Sequence, residues 1–209
     1  MPVFAYRTIQ QSTEGIYKEK GSKFLAFAYP VISESEIREK LESLRKEYFD
    51  ARHHCYAWML GAERKHFRAN DDGEPNHSAG DPILGQIRSK ELTNILVVVV
   101  RYFGGTKLGV GGLINAYRVA AEDALSHAVI IEREVTEGIR IQYDYASTPE
   151  VMKLVKDFDL KILGQNFTTG CTMEAEIKLK MKDVFTEKVK LMKALGTSID
   201  VTVSPASMF

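Results

Sequence analysis

Five glycines fall within nine residues, 104 to 112, in the stretch Arg101-Tyr102-Phe103-Gly104-Gly105-Thr106-Lys107-Leu108-Gly109-Val110-Gly111-Gly112. Ahead of it, Asn94 to Phe103 reads as the most buried strand of the chain, because Val97 to Val100 shows no polar alternation. After it, Leu113 to Ala128 is alanine-rich and helical. The chain therefore passes from a buried strand, through a side-chain-poor bend, into a helix N-terminus. Such a bend carries unpaired backbone N–H groups at the positive end of a helix dipole, and anions bind at such places. Gly104, Gly105, Gly109, Gly111 and Gly112 permit positive φ and close approach of a ligand. Lys107 and Arg101 can add charge at the same mouth. The spacing is not a dinucleotide fingerprint, and it lacks the G-K-[ST] ending of a P-loop. Three readings stay open: a tight turn between closely packed elements, a contact for the phosphates of RNA or a nucleotide, and a surface for a protein partner.

Bulk charge does not choose among them. The 209 residues hold 28 Lys plus Arg and 28 Asp plus Glu. Up to and including Glu137 the counts are 18 basic and 19 acidic, and after it 10 and 9. Polyanion binding must then come from a local patch, with modest salt dependence. Cys55 and Cys171 are far apart, so no disulfide framework is expected, and a reducing cytoplasm fits. Met1 opens no charged-then-apolar leader, and no apolar run reaches 18 residues. The expectation is a cytoplasmic protein without a membrane partner.

The expected fold class is α+β. In the first half, strand patterns at Val3 to Ile9 and Lys23 to Val31 lead to Ser33 and Glu36, spaced as a capping box. The helix that follows puts Ile37, Leu41, Leu44 and Tyr48 on one face. His53 to Leu60 is a strand, Gly61 to Gly80 a long polar stretch, and Asp81-Pro82 the start of a short helix. Ile130 to Gly138 interrupts the apolar pattern and reads as a boundary between domains at 1–133 and 138–204. Beyond it, Ile139 to Tyr145 alternates as a strand, and Thr148-Pro149-Glu150 opens a helix. Leu160 to Phe167 and Met173 to Met181 are strands, a helix carries Phe185, Val189 and Met192, and Ile199 to Val203 alternates again. That order, βαββαβ, is the ferredoxin-like pattern.

Three polar constellations accompany the glycine bend. Asp71, Asp72 and Glu74 fall within four residues, with His77 close behind, in Asn70-Asp71-Asp72-Gly73-Glu74-Pro75-Asn76-His77-Ser78-Ala79-Gly80. Carboxylates bunched this way can hold a hard cation or act as general acid and base. Asp-Gly and Glu-Pro equally mark a turn-rich loop, and the spacing excludes an EF-hand. In His53-His54-Cys55, strand geometry sends His53 and Cys55 to one side and His54 to the other. The two histidines cannot easily share a metal, and Cys55 would need a base from elsewhere. Tyr56 and Trp58 read as core. Lys18, Lys20 and Lys23 surround Gly21-Ser22 as a basic hairpin tip, which can touch phosphates or simply be solvated.

These blocks resemble the YigZ/IMPACT family. The likeness spans nearly the whole chain. It is specific in Lys20-Gly21-Ser22-Lys23-Phe24, Ala51-Arg52-His53-His54-Cys55-Tyr56-Ala57, Asp71-Asp72-Gly73-Glu74-Pro75, Ala79-Gly80-Asp81-Pro82-Ile83-Leu84, and Arg101 to Leu113. The resemblance implies an N-terminal domain like the second domain of ribosomal protein S-five. It also implies a C-terminal domain like domain five of elongation factor G. Two positions depart from the family pattern. Asn76-His77-Ser78-Ala79-Gly80 stands where the family has Ser-Gly-Thr-Ala-Gly, and Asn115 stands where it has arginine before Ala-Tyr. Loss of that arginine removes a bidentate donor. The family implies restraint of the amino-acid-starvation kinase pathway, established for eukaryotic relatives that compete for its ribosome-associated scaffold.

Three functions follow as expectations. The first is a non-catalytic binding protein of RNA or the ribosome, or of a ribosome-associated protein, in translational control. Lys20, Lys23, Arg101, Lys107 and the glycine bend would meet phosphates, with Asn115 beside them and no cofactor. The second is a hydrolase or phosphotransfer enzyme whose Asp71, Asp72 and Glu74 hold a divalent cation while the glycine bend holds a phosphate, with a peptidase variant drawing on His53, His54 and the same carboxylates. The third is a protein-interaction adaptor working through the exposed face of the C-terminal sheet.

Overall fold

The computed structural model describes residues 2–168 and 170–203. The ends of the expected domain ranges, 1 and 204, lie outside them. The chain forms two compact units, divided at Arg133 and Glu134, with the few residues before Ala5 joining the second.

The first unit runs β1 (Ala5–Ile9), β2 (Thr13–Glu19), β3 (Ser22–Pro30), α1 (Glu34–Glu47), β4 (His53–Leu60), β5 (His66–Asn70), α2 (Gly80–Ser89), β6 (Ile95–Tyr102) and α3 (Gly109–Ser126), then β7 (Ile130–Glu134). Its main sheet has the order β2-β3-β6-β4-β5, and β1 pairs with β7 separately. Every pairing in the main sheet is antiparallel. The uninterrupted apolar run now has its reason. β6 is the central strand, and both of its faces are covered. Val97 and Val99 pack with Cys55, Ala57, Tyr117 and the alanines of α3. Leu96, Val98 and Val100 pack with Tyr56, Trp58 and the Ile37, Leu41 and Leu44 stripe of α1. Tyr56 and Trp58 are core, as expected.

Local sequence sets several joints. Ser33 Oγ accepts from Glu36 N at the start of α1. Glu36 reaches back to the amide of Ile32 at 2.9 Å, one residue earlier than a capping box requires. β2 lies directly on α3, where a Cβ on Gly15 would fall 2.3 Å from the amide nitrogen of Ala124.

The structure departs from the sequence pattern in three places. β5 falls where no strand is expected, and β2 is foreshadowed only by the hairpin tip at Gly21-Ser22. Both are edge strands with mostly exposed or half-buried residues, so no apolar alternation marks them. The stretch Ile130 to Gly138 does contain the division between the units, at Arg133 and Glu134, but it is built of β7 and the start of β8 (Thr136–Tyr143), strands that its interrupted pattern does not show. Helix α3 begins at Gly109 rather than near Leu113. Glycine disfavours helices, yet the buried stripe Leu113, Ala116, Tyr117, Ala120 and Ala124 holds the helix from further along. Gly109, Gly111 and Gly112 are therefore the first turn of a helix.

The second unit continues from β8 with α4 (Thr148–Asp157), β9 (Lys161–Asn166), β10 (Cys171–Lys178), α5 (Lys182–Ala194) and β11 (Ile199–Val203). Its sheet order is β11-β8-β10-β9, the ferredoxin-like arrangement with the first and third strands central. The alternation reads directly into packing. Ile139, Ile141, Tyr143, Met173, Ala175 and Ile177 turn inward onto Val151, Leu154 and Phe158 of the α4 side and Phe185, Val189 and Met192 of α5. Both cysteines are free and buried.

Candidate anion-binding site

The site lies where β3 begins, β4 begins and β6 ends. Register brings these together: Lys23 pairs with Tyr102, and Phe24 and His53 flank Arg101 on either side. The β2–β3 connection is a two-residue turn with Lys20 at φ 45° and Gly21 at φ 79°, the doubly left-handed geometry of a tight hairpin. Its tip is locked to the glycine bend. Gly104 N donates to Ser22 Oγ at 3.1 Å, and a Cβ on Gly104 would fall 1.8 Å from the carbonyl carbon of Gly21. Gly105 and Gly109 take positive φ, 87° and 70°. Gly104 thus serves close packing, and the two others serve the turn into α3.

That lock gathers Lys20, Lys23, Arg101 and Lys107 at one end of the sheet, with Arg52, which lies in the Ala51 to Ala57 block but is not among the site residues read from the sequence. Lys20, Lys23, Arg52 and Lys107 are exposed. Among the described residues none of the four makes an ion pair; the pairs here are Arg101 with Glu74 and Arg45 with Asp72. Phe103 stands among them, 57 % exposed. The Arg101 guanidinium carbon lies 5.7 Å from its ring centroid and 5.5 Å from that of Phe24. Phe103 and Arg101 separate two cavities. One, of about 590 Å³, is bounded by Arg52, His53 and Tyr102. The other, of about 410 Å³, is bounded by Glu74, Lys107, Gly109 and Val110. Helix α3 starts at this second cavity with no side-chain cap and no acidic residue in its first turn.

The acidic loop has a different role. Asp71 accepts from His77 N at 2.8 Å, Ala79 N at 3.0 Å and Gly80 N at 2.8 Å. It therefore closes the loop and satisfies the start of α2. Burial pushes its carboxyl up, but the three backbone donors outweigh burial and hold it below the usual carboxylate range. Asp72 accepts from His54 N at 2.7 Å and faces Arg45 at 3.4 Å. Glu74 is buried: Arg101 Nη1 donates to it at 2.6 Å and Tyr117 Oη at 2.8 Å. The three carboxylates thus turn to three separate sets of partners. No cluster of three or more His, Cys, Asp or Glu among the described residues is arranged to hold a metal.

Asp71→Ala is expected to cost about 1–3 kcal/mol, because three amides are left without their acceptor. The depressed carboxyl stabilises the fold above its ordinary pKa near 4, and that stability drains away as pH falls through the lower folded value. Urea titrations across an acid series should show a flatter acid limb in the variant.

The remaining residues disperse. His53 faces the site, with Nδ1 2.9 Å from the Asp72 carbonyl. His54 is on the opposite face, buried beside α1, and burial lowers its pKa. Cys55 sits in the core, its sulfur 2.9 Å from the Asp71 carbonyl and 3.3 Å from Tyr117 Oη, and burial pushes its thiol far up. His77 is exposed at φ 64°, which explains why glycine suits that place in the family pattern. Its Nδ1 lies 2.6 Å from Asp81 Oδ2, a contact that raises its pKa. Asn115 is on the exposed side of α3, where its side-chain oxygen accepts from Arg118 at 2.9 Å, and it does not line either cavity.

Comparison with known proteins is consistent with this architecture. The Impact N-terminal domain matches residues 20–125, the stretch that contains both cavities. IMPACT family member YigZ of Escherichia coli is 33% identical over 150 residues, 71% of this chain and 74% of that protein. The crystal structure of a hypothetical protein covers 99% of this chain and 100% of its own at a TM-score of 0.75 and 26% identity. The two-domain translational regulator Yih1 is 26% identical over 57% of this chain and 48% of its own; its TM-score, 0.38, is too low to bear on the fold.

Proposed function

The chain belongs to the IMPACT family, and on that footing we propose that it is a non-catalytic binding protein of translational regulation that meets RNA, free or in the ribosome, at the Lys20–Arg52–Lys107 end of its N-terminal sheet. One observation carries the reading. Exposed cations without carboxylate partners among the described residues share one end of the sheet with an exposed aromatic ring, beside a helix start with no side-chain cap. Cations track a phosphate backbone, and aromatic rings stack on bases without demanding a sequence. The translational part rests on the family.

The catalytic alternative finds no support in the same geometry. Asp71, Asp72 and Glu74 are engaged by the fold, and Cys55 is a buried thiol held protonated.

Filter binding of single-stranded RNA across a salt series tests the proposal. Lys23→Glu/Lys107→Glu should flatten the slope of log affinity against log salt by about 0.7 for each phosphate that is no longer neutralised. Phe103→Ala should cost about 1–3 kcal/mol of binding, because a base can no longer stack there. Absence of binding at low salt, to RNA and to ribosomes alike, would overturn the reading.

A further inference from the structure

The cavity of about 590 Å³ holds a carboxylate that phosphate contact leaves unexplained. The ladder between β4 and β6 ends at the pair His53 and Arg101. Beyond it, Asp50, Ala51 and Arg52 on one chain and Tyr102 and Phe103 on the other bound the cavity. Two of the lining side chains are committed to the acidic loop. His53 Nδ1 lies 2.9 Å from the Asp72 carbonyl, and Arg101 Nη1 donates to Glu74. Asp50 and Arg52 are exposed, and among the described residues neither makes an ion pair, with the other or with any third group. Asp50 is still held in place. Ala51 N donates to the Tyr48 carbonyl at 3.0 Å and closes the turn after α1. Tyr102 Oη donates to Asp50 Oδ1 at 2.7 Å, a contact that pushes the phenol up to about 12 and keeps it a donor. Among the described residues no donor meets Asp50 Oδ2. A phosphate backbone is repelled by this carboxylate, which only accepts hydrogen bonds and so asks the ligand for a donor.

We propose that this cavity seats a guanine base stacked on Phe103, with Asp50 accepting from its N1–H and amino group and Arg52 donating to its O6 and N7. The inference rests on the RNA-binding reading and names the base that the site selects. Guanine carries two adjacent donors beside two adjacent acceptors, and arginine matches the acceptor pair bidentately. Adenine and cytosine offer a carboxylate one amino group, and uracil one imide N–H. An unpaired acid and an unpaired arginine, two residues apart in one cavity, match both edges of guanine at once. Unstacked bases of single strands are read in this way, by an aromatic face and by hydrogen bonds to their edges. A ribose hydroxyl can also donate to Asp50, but it does not distinguish guanine from hypoxanthine, which lacks the amino group.

The test holds phosphate number constant. The full chain is titrated with single-stranded uridine heptamers that carry guanine, hypoxanthine, adenine or uracil at the central position. A parallel arm compares guanosine 5′-monophosphate with adenosine 5′-monophosphate, read by the amide resonances of Asp50, Arg52 and Phe103. The guanine heptamer should bind about tenfold tighter than the adenine and uracil heptamers, the discrimination that one good bidentate pair supplies. The hypoxanthine heptamer should fall between. Asp50→Asn, at an exposed position, keeps an acceptor for Tyr102 but puts a donor in place of the open oxygen, and it should erase the preference for guanine over hypoxanthine. Lys20→Met, outside the cavity, should weaken all four heptamers and leave their ranking unchanged. A guanine preference among the heptamers that Asp50→Asn abolishes assigns the cavity to a base of RNA. A preferential response to guanosine 5′-monophosphate alone assigns it to a free guanine nucleotide. No preference in either arm, or a preference that survives Asp50→Asn, overturns the inference. Binding of all four heptamers would then still sustain the RNA reading, whereas failure of all four to bind would remove that reading as well.

Discussion

Glu74→Met is expected to destabilise the N-terminal unit by about 3–5 kcal/mol, the cost of removing one partner from a buried ion pair. Side-chain exposure is 7 % for Arg101 and 4 % for Glu74, and their contact is 2.6 Å. Without Glu74 the guanidinium stays buried and uncompensated, and the Tyr117 hydroxyl loses its acceptor. Urea unfolding of the single variant, of Arg101→Met and of the pair completes a double-mutant cycle. Glu74→Met/Arg101→Met should recover most of the loss, because an apolar pair of similar volume replaces the ions. The recovery should be incomplete, since Tyr117 is still left without its acceptor. A cost below about 1 kcal/mol for the single change would mean that the pair is solvated. The recovered double variant would also keep the fold while losing the Arg101 guanidinium, so it isolates that group's share of RNA binding.

This network shows where sequence reading stops. The central strand, the α1 stripe and the whole βαββαβ unit were legible, because burial on one or two faces imposes a period that local residues must obey. Pairing over long separations leaves no such period. Glu74 lies 27 residues from Arg101 and 43 from Tyr117, and nothing near Asp71-Asp72-Gly73-Glu74 says that its carboxylates point apart. Asp71 reads as a candidate ligand until Ala79 N and Gly80 N are seen to fold back onto it. Arg52 is hidden for the converse reason. It stands beside a histidine pair with stronger chemistry, and only register carries it next to Tyr102 and Phe103. Phe103 reads as the end of the strand, whereas β6 stops at Tyr102, and alternation cannot say that the ring just past it stands in solvent.

The glycine bend yields the other large effect, because its glycines are there for different physical reasons. Gly104→Ala should cost about 3 kcal/mol or more, at the upper end of overpacking. Its Cβ would stand 1.8 Å from Gly21 C and 2.1 Å from Ser22 N. Both are backbone atoms, so no rotamer change can clear them, and the hairpin tip that carries Lys20 must move off the bend. Gly105→Ala meets nothing within 4 Å but must hold φ 87°, a conformation that L side chains rarely adopt, so its cost is backbone strain alone. Gly111→Ala meets nothing within 4 Å, has an ordinary helical φ, and should stabilise α3 by about 0.5–1 kcal/mol. Thermal unfolding should place Gly104→Ala lowest, Gly105→Ala next and Gly111→Ala highest. RNA affinity should separate from stability across the set. Gly111→Ala keeps its N–H and every cation in place, so its binding should match the parent. Gly104→Ala should lose binding even at temperatures where it stays folded, because Lys20 and Lys23 no longer share an end of the sheet with Lys107. Equal affinity in Gly104→Ala and the parent would show that the hairpin tip takes no part in the site, and would confine it to Arg52, Arg101, Phe103 and Lys107.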